Sequence, residues 1–549
     1  VKRPALIAVA ATVLTGLLYA AFLPARVVDW DPIQFALGLD RFDLALHQPH
    51  APGYVGPMAL AWLIARTGVA HGSAVLWGSA VAGAVAAGLL VLLGRRLHGI
   101  GVGVAAALLF ATNPVAWAYA LTGESYAAEA AMSTGVVLAG LAIGRNASWR
   151  ALAAFFLLYG LSGGVRQSVP LFLFPFALWR LALACTGRVP AGWAARFAVA
   201  GLAALAGIAA WGVPLALLAG GLDRLSAAFG AQFLDLFGRA YSPLMGASRA
   251  AVLTNLDGLW RYLLSALSVG GLAGALAWPL LRDRSGRARE SVATIALWVV
   301  PPLLWFVLMF IYKPGHALGI VPAFALGAAA VLARAGRPSG GPGAPAAAPD
   351  ASRGTRFLGP ALIGAVALAQ AALFLAPPPA WTITVGEQGL PSLQHAQVDT
   401  VATVDALNEL AQGDPDAVLV VCRDARFSFR RAMYHVPSLR VLWLLDRDST
   451  GAPMPGLELC ESRSRTTACR SGAGFWQWTA LPPTIDVPLA PSTRHVAWFV
   501  EPGTAFDRAL RSGGVPLRAV DVPPVSELLL TDVPAGPVDL RIGPWRFVR

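Results

Sequence analysis

From Asp29 to Tyr54 the chain reads DWDPIQFALGLDRFDLALHQPHAPGY. This one polar stretch holds the carboxylates Asp29 and Asp31, the imidazoles His47 and His50, the carboxamide Gln48 and the phenol Tyr54. A carboxylate bordering a membrane can act as general base toward an acceptor hydroxyl, given partial burial to tune its pKa. The alternative is a solvated loop acid, and spacing alone weighs the two readings of Asp29 and Asp31 evenly. Pro49 and Pro52 fix φ and stiffen the presentation of the side chains between them. Two histidines three apart beside acids admit a divalent metal. They equally suit hydrogen bonds to a phosphate or a sugar. The pair alone supplies too few ligands for a good metal site, so no metal-ligand set is assigned.

Three more groups of polar residues interrupt apolar surroundings. Glu124 and Glu129 lie at the start of an apolar run with Tyr119 and Tyr126 nearby. A carboxylate about a turn inside such a run is costly unless it is paired or faces a cavity. The readings are a site wall or an intramembrane ion pair, with Arg166 as the partner. Gly163-Gly164-Val165-Arg166-Gln167-Ser168 joins two apolar runs. The guanidinium fork suits phosphate, and paired glycines let backbone N–H groups approach an anion. Lys313 and His316, in YKPGH, repeat the pattern of cations at the end of an apolar run. Headgroup snorkelling is the alternative for both cation groups.

The elements that position these residues are membrane helices. Of 549 residues 56% are hydrophobic and 13% charged, against about 25% charged in soluble domains. Mean hydropathy is +0.60. The net charge of +12 does not point to nucleic acid, because the arginines sit in short loops between apolar runs. Runs long enough to span fall near 5–23, 73–94, 102–121, 125–144, 149–165, 168–187, 193–219, 256–281, 291–311, 317–334 and 357–376, which predicts about eleven spans. The first reads as a retained signal anchor, and the shorter run 54–69 as an interfacial helix. The Lys and Arg distribution places the N-terminus in the cytoplasm of a multi-pass plasma-membrane protein. It puts the loop 24–72, Glu124, Arg166, Lys313 and His316 on the outer face.

Residues 1–376 thus form a membrane domain, and 335–355, rich in Gly, Pro, Ala and Ser, a flexible cytoplasmic linker between its last two spans. Residues 377–549 read as an extracytoplasmic α/β domain. Strands are expected at Ala417 to Val421, Arg440 to Leu445, His495 to Val500 and Pro516 to Val520. Helices are expected at Thr400 to Gln412 and Ala505 to Ser512. Trp443, Trp476, Trp478 and Trp498 suit a core or a sugar platform. Cys460 and Cys469 can pair in an oxidising compartment.

The ordered set of motifs resembles the GT-C superfamily of integral membrane glycosyltransferases, and within it bacterial proteins of the protein O-mannosyltransferase type. The resemblance rests on the Asp29–Tyr54 stretch, with its HPPGY-like end, and on NPVAWAY (Asn113 to Tyr119), GGVRQS and YKPGHALGIVP (Tyr312 to Pro322). It covers most of residues 1–334. Ala51 replaces the first proline of HPPGY, and Gln34 stands where many relatives carry a second acid.

The resemblance implies a GT-C-like polytopic α-helical fold and transfer of a hexosyl or pentosyl group from a polyprenyl-phosphate donor. The acceptor would be a glycan, lipid or protein at the outer face. It implies Asp31 as base, with Asp29 as fallback and Glu124 as a compensating acid. Arg166, Lys313 and His316 would hold the donor phosphate. His47, Gln48, His50, Tyr54, Tyr126, Glu129 and Gln167 would line the substrate. No cofactor follows from the motifs, and a divalent metal remains compatible with them.

Two other function classes fit an integral membrane protein. A transporter or flippase of a lipid-linked or anionic solute would show paired repeats and broken helices at mid-membrane. No paired repeat is evident, and the polar residues cluster toward one face. A non-catalytic scaffold would use the C-terminal domain to bind glycan or a protein.

Overall fold

The computed structural model describes residues 2–186, 190–238, 241–277, 286–311, 313–334, 357–378, 389–423, 427–446, 457–470, 484–513, 515–522 and 526–549. The expected linker 335–355, Tyr312, Trp476 and Trp478 lie outside the described residues. The chain divides into two compact units.

One unit, Val1–Pro24, Tyr54–Leu217 and Tyr241–Ser392, is helical. Each expected span overlaps a described helix, except 102–121, which falls on two. Among the described residues six helices have the length and apolarity to cross a bilayer, against eleven spans expected from hydropathy: Arg3–Ala20, His71–Leu97, Ser168–Cys185, Gly192–Leu218, Arg289–Leu308 and Leu358–Leu375. A seventh arises if Ile100–Ala111 and Pro114–Leu121 count as one span bent by 62°.

The bend is written in the sequence. Asn113 accepts from the backbone N–H groups of Val115 and Ala116 at 3.0 and 3.1 Å, and Pro114 occupies the first helical position, where no N–H is needed. The Asn113 amide also donates to the Ala266 carbonyl at 2.9 Å, which ties the bend to the helix Arg249–Ala277. Small residues let helices close on each other. A Cβ on Gly94 would lie 2.4 Å from the Gly103 Cα, so His71–Leu97 and Ile100–Ala111 meet backbone to backbone.

The other unit takes Ala25–Gly53, Leu218–Ala240 and Leu393–Arg549. It therefore contains the polar loop as well as most of the expected C-terminal domain. Its strands are β1 (Val418–Arg423), β2 (Arg440–Asp446), β3 (Leu457–Arg463), β4 (Thr466–Cys469), β5 (Ile485–Pro488), β6 (His495–Val500), β7 (Arg518–Val522), β8 (Ser526–Asp532), β9 (Asp539–Ile542) and β10 (Trp545–Val548).

A seven-stranded sheet runs β4-β3-β2-β1-β6-β8-β7, and a three-stranded sheet runs β5-β10-β9. The central strands β2, β1 and β6 are parallel and apolar, and the flanking pairs are antiparallel. Parallel β1 and β2 require a crossover, supplied by the helix Phe429–His435. Leu419, Val421, Leu442, Leu444, Trp498 and Phe547 form the core. Trp498 is thus a core residue rather than a platform, and its ring packs edge-on to Phe547. Cys460 and Cys469 are disulfide-bonded across the β3–β4 hairpin.

Candidate active site

In the unit that holds the loop, Asp29 is the N-cap of the helix Trp30–Asp40 and accepts from the Trp30 N–H at 2.7 Å. That occupies Asp29 with a local structural task. Asp31 lies in the first turn of this helix, and its side chain is one-fifth exposed. The helix N-terminus favours the charged carboxylate. Asp43 restarts the chain by accepting from the Ala45 and Leu46 N–H groups at 3.1 and 3.2 Å. Its backbone pairs with Gln48, which returns His47 to His50 toward the helix.

The helix face then receives the histidines. His50 Nδ1 donates to Gln34 Oε1 at 2.5 Å and lies 3.9 Å from Asp31 Oδ1. The His50 ring stacks on Phe35 with centroids 5.7 Å apart. Gln34, which replaces an acid in the resembled motif, is thus a neutral acceptor that fixes the His50 ring beside Asp31. His47 is buried. Burial, followed by the nearby His50 and Arg430, holds its pKa well below the ordinary value. Gln48 is also buried, and its amide nitrogen has no hydrogen-bond partner among the described residues. Among the described residues no three His, Cys, Asp or Glu side chains are grouped to hold a metal ion.

The helical unit gathers the second set of expected residues around Tyr126. Lys313 Nζ donates to both oxygens of Glu124, at 3.0 and 2.9 Å. Arg166 Nε lies 2.9 Å from Glu129 Oε2, and its Nη1 donates to Ser125 Oγ at 2.9 Å. Ser168 Oγ donates to the other Glu129 oxygen at 2.5 Å. The Arg166 guanidinium lies 4.3 Å from the Tyr126 ring centroid and 5.5 Å from that of Tyr54, and Lys313 Nζ lies 5.3 Å from Tyr126. The rings of His316 and Tyr126 are 5.5 Å apart.

The two ion pairs share one polarity. The carboxylates are shut in, at 2% and 3% side-chain exposure, while Lys313 and Arg166 keep 19% and 16%. The cation is therefore the half of each pair that an anion can reach. Gly315 makes the arrangement sterically feasible, since a Cβ there would lie 2.5 Å from Tyr126 and 2.7 Å from Tyr119. Gln167 occupies the N-cap position of the helix Ser168–Cys185, half-buried, with no side-chain capping bond.

Arg430, Arg431 and His435, on the β1–β2 crossover, also touch the loop. They were not among the expected site residues. Nothing in FRRAMYH separates them from a basic surface helix, because their partners lie far away in sequence: 384 positions for Arg430, 403 for Arg431 and 408 for His435.

No protein-family model and no curated protein matches the chain. Solved structures do. The chain is similar to ArnT from Cupriavidus metallidurans bound to undecaprenyl phosphate, with a TM-score of 0.51, 12% identity, and coverage of 84% of this chain and 97% of that one. It is also similar to the arabinofuranosyltransferase AftD from Mycobacteria, with a TM-score of 0.39, 19% identity, and coverage of 76% of this chain and 29% of that one. The archaeal oligosaccharyltransferase AglB from Archaeoglobus fulgidus matches with a TM-score of 0.42, 14% identity, and coverage of 78% of this chain and 63% of that one. Of these three, the ArnT structure bears on the fold. The chain shares the fold of that ArnT structure, here a helical unit with several apolar spans and a strand-rich C-terminal unit.

Proposed function

We propose that this chain is a membrane glycosyltransferase that moves one sugar from a polyprenyl-phosphate donor to an acceptor hydroxyl on the outer face of the membrane. The observation that carries the reading is Asp31, a carboxylate partly open at a helix N-terminus and flanked by the fixed ring of His50. The GT-C fold and the ArnT likeness, a structure bound to undecaprenyl phosphate, support the donor class. The Cys460–Cys469 disulfide supports an oxidising compartment for the C-terminal domain.

In this reading Asp31 takes the acceptor O–H proton as the acceptor oxygen bonds to the anomeric carbon. The bond from that carbon to the phosphate oxygen breaks, and the polyprenyl phosphate leaves with the electron pair. A single displacement inverts the anomeric centre. In the helical unit, Arg166 and Lys313, backed by Glu129 and Glu124, are the groups suited to a donor phosphate, and His316 adds a donor beside Tyr126. Gln48, His47, Tyr54, Tyr126 and Gln167 shape the substrate sites.

The test is a membrane-fraction assay with a panel of radiolabelled polyprenyl-phosphate sugars, comparing wild type with Asp31→Asn. Loss of a positioned general base costs about 10²- to 10⁴-fold in rate. We expect that loss with normal membrane insertion. Full activity in the variant removes Asp31 from the role of base.

A further inference from the structure

The loop that carries Asp31 is gripped from the β1–β2 crossover helix, Phe429–His435. Arg431 and His435 are four apart and so share a helix face. Arg431 Nε donates to the Val28 carbonyl at 2.8 Å, and His435 Nε2 donates to the Val27 carbonyl at 2.7 Å. Both bonds land just before Asp29. Arg430 reaches the other end of the segment and donates to the Leu46 carbonyl, just before His47. Its guanidinium also lies 6.0 Å from the Trp30 ring. Trp30, the neighbour of Asp31, packs 5.5 Å from Trp443 of β2. A further contact comes from the β3–β4 turn, where Arg465 meets Asp40 at 3.2 Å, at the far end of the loop helix.

Arg430 is fully buried. A buried guanidinium is expensive to keep, and a sheet domain can fill the same volume with apolar side chains. The domain core lies on other residues, so the burial of Arg430 is directed at the loop.

We propose that the C-terminal α/β domain is the holder of the catalytic loop, with Arg430 as its chief positioning residue, assisted by Arg431 and His435. This rests on the reading of Asp31 as base. The domain thereby sets the rate of transfer, and the face of this helix is taken by the chain's own loop rather than offered to a glycan.

Hydrogen exchange on the full chain in nanodiscs, paired with transfer kinetics, tests the proposal. In Arg430→Met, amides of 41–48 should exchange at least 10-fold faster while those of β1 stay protected. Maximal transfer rate should fall roughly 10- to 100-fold, as misplacement by about 1 Å does, with the donor KM little changed. Arg430→Lys, which keeps a donor, should recover part of both. Unchanged loop exchange in Arg430→Met overturns the proposal, as does a loosened loop with wild-type rate. If Arg430→Met loosens β1 as well, the same comparison with Arg431→Gln decides, read at residues 26–31: faster exchange with slower transfer supports the proposal, and unchanged exchange overturns it. Exchange reports on the grip without any assay of activity. A wild-type protein that transfers no sugar therefore sinks the functional reading separately, while the exchange pattern still judges the docking.

Discussion

Lys313 and Arg166 each carry a buried glutamate as counter-charge, with the cation as the outward half. Such a pair is neutral in the resting protein yet still offers N–H donors to an incoming phosphate. Removing one member leaves the other charge without its partner. Glu129→Ala should destabilise by roughly 3–5 kcal/mol, the usual cost of breaking a buried pair. The double variant Glu129→Ala/Arg166→Met should lose less than the sum of the two single changes, because it removes both charges. Melting temperatures of the three variants in detergent check this, and strict additivity would refute the coupling. These partners were partly legible beforehand. Glu129 with Arg166 was one of two readings of the sequence, whereas Glu124 with Lys313 spans 189 positions and left no local trace.

At the scale of elements, the crossover helix holds the loop through a neutral histidine. Burial lowers the His435 pKa to about 4 from an ordinary value of 6.5, while the bond to the Val27 carbonyl opposes the shift. The folded pKa is depressed, so the unfolded chain binds the extra proton between these values. Stability from this group is therefore complete above pH 6.5 and is lost as pH falls toward 4, by at most roughly 3 kcal/mol. Denaturant titrations of the full chain followed by Trp30 and Trp443 fluorescence should show this slope, and His435→Phe should flatten it. An equal slope in the variant would assign the acid sensitivity elsewhere. The bend at Thr112 shows why the expected single span 102–121 came out as two helices. Hydropathy averages across it, although Asn113-Pro114 is a readable helix restart.

At the scale of the molecule, alternating apolar strands and helix-like pieces in the C-terminal region were visible from composition. The expected helix Ala505 to Ser512 and strand His495 to Val500 coincide with the observed elements. That the polar loop folds with this region was invisible, because periodicity reports only neighbours in sequence. The assignment of this unit to the outer face has its own check. In intact cells the half-buried Cys469, bonded to Cys460, should resist a membrane-impermeant maleimide until an impermeant reductant is added, and then label. Cys185 and Cys422 are buried and should stay unlabelled in the native protein. Labelling that requires a permeant reductant would reverse the topology.

The pairing of Arg430 with the Leu46 carbonyl also bears on biogenesis. Synthesis must continue for 384 residues after Leu46 before its partner exists. At about 5–20 residues per second this is a wait of roughly 20 to 80 s. Throughout that interval the loop has already left the ribosome, without its holder. A chain interrupted before the crossover helix would carry the acid but lack the grip that aligns it. On the function proposed above, transfer competence therefore begins only once the crossover helix has been made.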